Sequence, residues 1–427
     1  MCKQNVPYVV KLVRNANGER LPVLLSRSTG LPDFDASLWV VASLRTRNLA
    51  SESIAQALRS VVVLYLALQH CKVDLNERLK QGNFLLPNEI GQILKQCRRT
   101  LLSNATDLDR NNEVADKKLK KITKLEKFRM PQSSSQEQNK VNAYTTSIRL
   151  GYIREFLRWR INRSIAVGKV QYRENLITLR ELVDSELKNN TPASTERAVL
   201  RQRSGIDRQE QKQLLEMLSP RSAFNPWRSH QIRVRNQLVV NAFLSLGIRR
   251  GELLGLRVGD FDPKAQEVRV LRRPDDVEDP RLHEPNTKTR DRILPVSYEL
   301  HVLVKAYMIH RRELVMGRHD FLIVTNTGEP MSKSHLNRIF TTLQTNFLKK
   351  ITPHCLRHSF FENIADDLYQ AGKDDTEILN ILTVLGGWSN TSNSPRRYTK
   401  RFAQERAHIA GLALQANIYI NEKENSL

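Results

Sequence analysis

Apolar residues recur at three- and four-residue spacing through four stretches of this 427-residue chain: residues 51–70, 87–102, 141–163 and 233–247. That period lays one apolar face along a helix, so most of the chain is committed to helix-on-helix packing. Strand-like runs are confined to residues 8–25, around Asn15-Ala16-Asn17-Gly18, and to residues 267–272 and 291–297. The first predicts a small hairpin, and the other two predict strands joined by a charged loop. The fold class expected is mainly α with a small β-sheet, in about two or three domains.

Local signals refine this. Residues 51–70 open on Ser51 in a pattern similar to a capping box. Asn88-Glu89 suits a helix start within residues 87–102. In residues 141–163 the stripe Val141, Tyr144, Ile148, Tyr152, Phe156 and Trp159 predicts the buried face. Arg149, Arg154, Arg158, Arg160 and Arg163 then occupy other faces, where they can meet phosphates. Residues 117–129 (KKLKKITKLEKFR) hold seven basic residues against one acid, and a linker-like PQSSSQEQNK follows. That run reads equally well as a solvated helix face or as a phosphate-contacting segment.

Charge narrows the function. Lys and Arg total 68 against 45 Asp and Glu, a formal net charge of +23. Apolar residues make up 40% of the chain, enough for folded cores, so this is no disordered basic tail. Such a balance calls for a polyanionic partner, nucleic acid first and an anionic membrane surface second. The longest apolar run, residues 61–68, falls far short of the ~18–20 residues that span a bilayer. The opening MCKQNVPYVVKLVRN lacks the layout of a secretory leader. Cys2, Cys71, Cys97 and Cys355 are scattered and form no C-x-x-C, which predicts reduced thiols and a cytoplasmic setting.

Four clusters in the second half carry chemistry. GIRRGELLGLRVGDFD (residues 247–262) places Arg249 where one helix stops at a glycine and another begins. TKTRDRILP (residues 287–295) offers Lys288 before a strand, with Arg290 and Arg292 on the same strand face. HCLRH (residues 354–358) puts His354 on one helix face with Arg357 and His358. LGGW (residues 385–388) is followed by Arg396-Arg397-Tyr398. There is no P-loop, no carboxylate cluster for paired magnesium ions and no third ligand for a histidine-bound zinc, so no metal or other cofactor is expected. Two arginines, a lysine, a histidine and a tyrosine suit nucleophilic attack on a phosphodiester.

In this order the boxes resemble those of the tyrosine recombinase (phage integrase) family, over roughly residues 205–405. The resemblance implies that Arg249 and Arg357 clamp the scissile phosphate and that Lys288 protonates the 5′-hydroxyl leaving group. It implies that His354 assists proton transfer and that Tyr398 attacks to form a 3′-phosphotyrosyl bond. One box departs from the family pattern, which has Leu-Gly-His nine residues before the nucleophile. Here Trp388 precedes Tyr398 by ten residues. Either Trp388 buttresses the phosphate through its indole N–H, the favoured reading, or Gly387 fills the histidine position and the contact is missing.

The resemblance also implies an architecture: a helical core-binding domain and an α+β catalytic domain that form a clamp around DNA. The divisions expected are a hairpin-like extension (1–35), the core-binding domain (36–170) with its basic insertion (103–139), a connector (171–204), the catalytic domain (205–405) and a tail (406–427) that either contacts a second protomer or packs on its own catalytic domain. The partners implied are double-stranded DNA, a homo-tetramer on paired sites, and accessory recombination or DNA-bending proteins. No membrane is expected. The activity implied is site-specific recombination that integrates or excises a mobile element. The alternatives are strand relaxation like that of a type IB topoisomerase, and a catalytically degenerate DNA-binding accessory protein.

Overall fold

The structure, a computed structural model, describes residues 6–101, 140–193, 205–285, 289–344 and 350–424. The basic insertion and Lys288 lie outside the described residues. The chain divides into two compact units, one of Met1–Asn15 with Arg20–Val199 and one of Ala16–Glu19 with Leu200–Leu427. The expectation of a mainly helical chain with little sheet holds. The described strands form one two-stranded and one three-stranded antiparallel sheet.

In the first unit, β1 (Tyr8–Arg14) and β2 (Arg20–Ser26) make the expected hairpin, with Tyr8 opposite Ser26 and Arg14 opposite Arg20. Helices follow over Phe34–Trp39 (α1), Ser51–His70 (α2), Leu75–Lys80 (α3), Pro87–Cys97 (α4), Ala143–Val167 (α5) and Arg173–Asn189 (α6). Helix α2 is the centre of this unit, burying Ile54, Leu58, Val61, Leu64 and Leu68 among other residues. By length and composition it could cross a membrane, but burial inside the unit accounts for its apolar character. Leu24 of the hairpin, Trp39 of α1 and Phe156 of α5 complete the same core, with the last two rings edge to face at 5.1 Å.

Two local features differ from the sequence expectation. Ser51 does not cap α2. Ala50 holds the N-cap position, and the Ser51 hydroxyl donates to the Arg20 carbonyl at 2.6 Å. The buried face of α5 is Thr146, Leu150, Ile153, Phe156, Leu157, Arg160 and Ile161, while Tyr144 is exposed. The α5 arginines are mostly occupied as well. Arg149 donates to the Cys97 and Arg99 carbonyls, Arg154 forms a two-pronged pair with Asp184, and Arg160 and Arg163 both pair with Asp35. These side chains staple helices together, while Arg158 remains exposed.

The second unit holds α7 (Arg208–Leu218), α8 (His230–Leu246), α9 (Arg250–Gly255), the sheet β3 (Phe261–Asp262), β4 (Glu267–Val270) and β5 (Arg292–Pro295), then α10 (Tyr298–Val315), α11 (Lys333–Gln344), α12 (Pro353–Gln370), α13 (Asp375–Gly386) and α14 (Arg396–Glu424). Helix α8 runs through its core, burying Val234, Leu238, Val239, Phe243 and Leu246. A smaller cluster of Phe361, Ala365, Ile378, Leu382, Trp388, Tyr398 and Phe402 joins α12, α13 and α14 beside the site.

Candidate active site

Four chain segments converge in the second unit, and each is stopped or started by its own sequence. Helix α8 ends at Gly247, whose φ of +56° is left-handed. A Cβ there would meet the Phe360 ring at 2.0 Å, so glycine is required. Two residues on, Arg249 occupies the N-cap position of α9 in extended conformation. Glu252 reaches back one turn and accepts from the Arg249 backbone N–H at 2.8 Å. Helix α12 starts with Thr352 accepting from the Cys355 N–H at 3.1 Å, and with Pro353 in its first turn. That fixes His354, Arg357 and His358 on successive turns. The Ser359 hydroxyl, just beyond, accepts from the Ile206 N–H at 2.8 Å and ties the start of the unit to this helix.

Helix α13 ends in a Schellman stop. Gly387 is left-handed at φ +60°, its N–H donates to the Val384 carbonyl, and the Trp388 N–H donates to the Thr383 carbonyl at 3.1 Å. The stop aims the helix's carbonyl end at the arginines. Leu385 accepts from Arg292 Nε at 2.9 Å, and Gly386 accepts from Arg249 at 3.1 Å and from Arg357 at 3.2 Å. The negative end of the helix dipole therefore faces a cluster of cations.

Glu252 is the charge centre of that cluster, with its side chain fully buried. It accepts from Arg292 at 2.7 and 3.3 Å, from Arg249 at 3.2 Å and from the Thr289 hydroxyl at 2.5 Å, and Arg357 lies at 3.9 Å. Burial raises the Glu252 pKa, but the bonds to Arg292, the Arg357 charge and the bond to Thr289 outweigh it and hold the carboxyl at about 2. Arg357 also donates to the Gly247 carbonyl. Burial and the neighbouring Arg249 charge lower its pKa to about 9. Three guanidiniums thus share one carboxylate, leaving an excess of two positive charges in the cluster. Arg249 is the accessible member, its side chain 34% exposed against 5% for Arg357 and Arg292.

Trp388 lies against this cluster with its ring 5.0 Å from the Arg357 guanidinium carbon and 5.8 Å from that of Arg249. A Cβ on Gly386 would strike the same ring at 2.2 Å, which explains the Gly-Gly-Trp sequence. Tyr398, in the first turn of α14, packs on Phe361 at 5.4 Å and on Trp388 at 6.1 Å. Its hydroxyl is hydrogen-bonded to His358 Nδ1 at 2.8 Å. Burial pushes the Tyr398 pKa up to about 12 against the pull of Arg357 and Arg397.

The structure gathers five of the six residues expected from sequence: Arg249, His354, Arg357, Trp388 and Tyr398. The sixth, Lys288, falls outside the described residues. Arg292 and Thr289 bond to Glu252 and His358 to Tyr398; the sequence pattern named Arg292 and His358 but gave neither a role, and it did not mark Thr289. Arg292 could not be told from Arg290 by strand alternation, because pairing begins only at Arg292. Arg290 precedes the strand, is exposed, and gives its backbone N–H to the Gly387 carbonyl at 3.1 Å.

A cluster of three guanidiniums beside a buried tyrosine has the chemistry to bind a phosphate. Residues 204–405 match the profile described as the phage integrase family. Among curated proteins, the chain is similar to tyrosine recombinase XerD of Halalkalibacterium halodurans, 26% identical over 138 residues that cover 31% of this chain and 42% of that protein. It is similar to tyrosine recombinase XerC of Staphylococcus epidermidis at 23% identity over 181 residues, 41% of this chain and 55% of that protein. The match therefore spans about half the length of these relatives. Among solved structures, the Tn1549 transposon integrase with circular intermediate DNA aligns over 82% of this chain and 99% of that one, at 16% identity and a TM-score of 0.41.

Proposed function

We propose that this protein is a site-specific recombinase that cuts and rejoins DNA strands through Tyr398. The Tyr398 oxygen attacks the scissile phosphorus, the bond from phosphorus to the 5′-oxygen breaks, and a 3′-phosphotyrosyl bond forms. Lys288 protonates the departing 5′-oxygen. Rejoining reverses these steps, so the bond energy is conserved and no nucleotide cofactor is consumed. The observation that carries this reading is the excess of two positive charges around Glu252, next to a buried tyrosine. A phosphodiester brings one negative charge, and its trigonal-bipyramidal transition state gathers more. Preset guanidiniums thus stabilise the transition state more than the ground state. In this reading Trp388 holds Arg249 and Arg357 in place by ring contact, and Gly387 serves the helix stop.

The partner in this reading is duplex DNA, with four copies on paired sites and accessory or DNA-bending proteins where the site requires them. Helix α14 supports contact between copies, because Ile409, Leu412 and Leu414 are 65%, 53% and 64% exposed. The biological setting proposed is integration or excision of a mobile element in the cytoplasm.

The test is a selection that needs no known site. Nicked duplexes with randomised arms are incubated with the protein in EDTA, and DNA covalently joined to protein is recovered and sequenced. Wild type should enrich a defined, inverted-repeat site, and Tyr398→Phe should enrich none. Two copies of that site should then exchange strands. Relaxation of supercoils without exchange would identify a topoisomerase. Tight binding with no covalent product from either protein would identify an accessory DNA-binding factor.

A further inference from the structure

The resemblance gives His354 a part in proton transfer, yet the group in contact with the Tyr398 hydroxyl is His358. The hydroxyl lies 2.8 Å from His358 Nδ1, and His358 Nε2 lies 2.9 Å from His354 Nε2. The two imidazoles meet edge to face with centroids 4.2 Å apart. Tyr398 and His358 are buried, at 4% and 1% exposure, whereas His354 is open to solvent. The four-residue spacing on α12 stacks the two rings on one helix face.

We infer that His358 is a catalytic residue: it takes the proton from Tyr398 during attack and passes another to His354, so that the two histidines form a relay from the buried nucleophile to solvent. The inference rests on the recombinase reading above. The tautomers balance. With the tyrosine donating to His358 Nδ1, His358 carries its hydrogen on Nε2 and donates it to an unprotonated His354 Nε2. As the Tyr398 oxygen bonds to phosphorus, its proton moves to His358 Nδ1 and the Nε2 proton moves to His354. His358 ends neutral in its other tautomer, and His354 ends as a solvent-exposed imidazolium. The return path serves rejoining, when the tyrosine leaves and must regain its proton. Arg357, Arg397 and Arg249 favour the tyrosinate, and Glu362 opposes it. Burial outweighs the arginines and pushes the hydroxyl pKa up to about 12, so a neighbouring proton acceptor such as His358 would assist its ionisation near neutral pH.

The test compares wild type, His358→Gln and His354→Gln on the site recovered by covalent selection. Each is measured with an ordinary 5′-oxygen and with a 5′-bridging sulfur, which leaves without a general acid. His358→Gln should bind the site as wild type does and form the covalent complex about 10²–10⁴-fold more slowly. Its rate should rise about tenfold per pH unit, because hydroxide must then remove the proton. The sulfur substrate should not restore it. His354→Gln should show the same pH slope with a smaller loss. A wild-type rate and profile in His358→Gln, or its rescue by sulfur, would overturn the inference. If His358→Gln fails to bind DNA, a wild-type pH profile in the surface variant His354→Gln overturns the relay. Failure of wild type itself to form the complex would instead overturn the recombinase reading.

Discussion

At the scale of single residues, Glu252 decides whether the arginine cluster exists. Its carboxylate is fully buried and holds Arg292 directly, with Arg249 and Arg357 around it. Glu252→Gln keeps the shape and removes the charge, leaving buried guanidiniums uncompensated. Loss of one partner from a buried ion pair costs about 3–5 kcal/mol. Denaturant unfolding at neutral pH should show a loss of that size. The pH dependence follows from the same group. A carboxyl held at about 2 in the folded state and near its ordinary value when unfolded stabilises the fold above the ordinary value. That stability, on the order of 3 kcal/mol, is lost as pH falls from about 4.5 toward 2. Acid titration of stability should therefore be steep in wild type over this range and flatter in Glu252→Gln.

At the scale of elements, the C-terminal stop of α13 matters most, because it supplies carbonyls to three arginines and seats Trp388. Gly386→Ala would push a methyl group into the indole. The expected cost is about 1–3 kcal/mol of stability, as for other overpacked sites. Covalent-complex formation should fall further than the folded fraction does, because Arg249 and Arg357 lose their shared carbonyl geometry. Equal losses in both measurements would show that the stop only stabilises the fold.

Legibility in the sequence also divides by element. Helices at 51–70 and 233–247 were readable because their apolar periodicity matches their burial. The arginines of α5 were not, since a cation that staples two helices and one that faces solvent look alike without the acid from a distant segment. Asp35 and Asp184 supply those acids. The segments that bring Arg249, His354, Arg357, Trp388 and Tyr398 together could be picked out by residue type and order. Arg292 and His358 were visible as residues but not as contacts, because these depend on where pairing begins and on which imidazole nitrogen meets the tyrosine.

At the scale of the whole molecule, the net charge of +23 predicts DNA binding dominated by phosphate contacts. With six to ten contacts, affinity for duplex DNA should fall by roughly 10³–10⁵ between about 50 and 200 mM salt. Arg158 separates binding cations from structural ones. Arg158→Ala should lower the magnitude of the salt slope by about one. Arg154→Ala, which breaks the pair with Asp184, should lower stability and leave the slope unchanged.

The central claim is that Tyr398 becomes joined to DNA. The most direct measurement is to digest the trapped covalent complex with nuclease and protease and to locate the nucleotide adduct by mass spectrometry. A single modified peptide is expected, with a 3′-linked nucleotide on Tyr398. An adduct on any other side chain, or none in a preparation that exchanges strands, would contradict it.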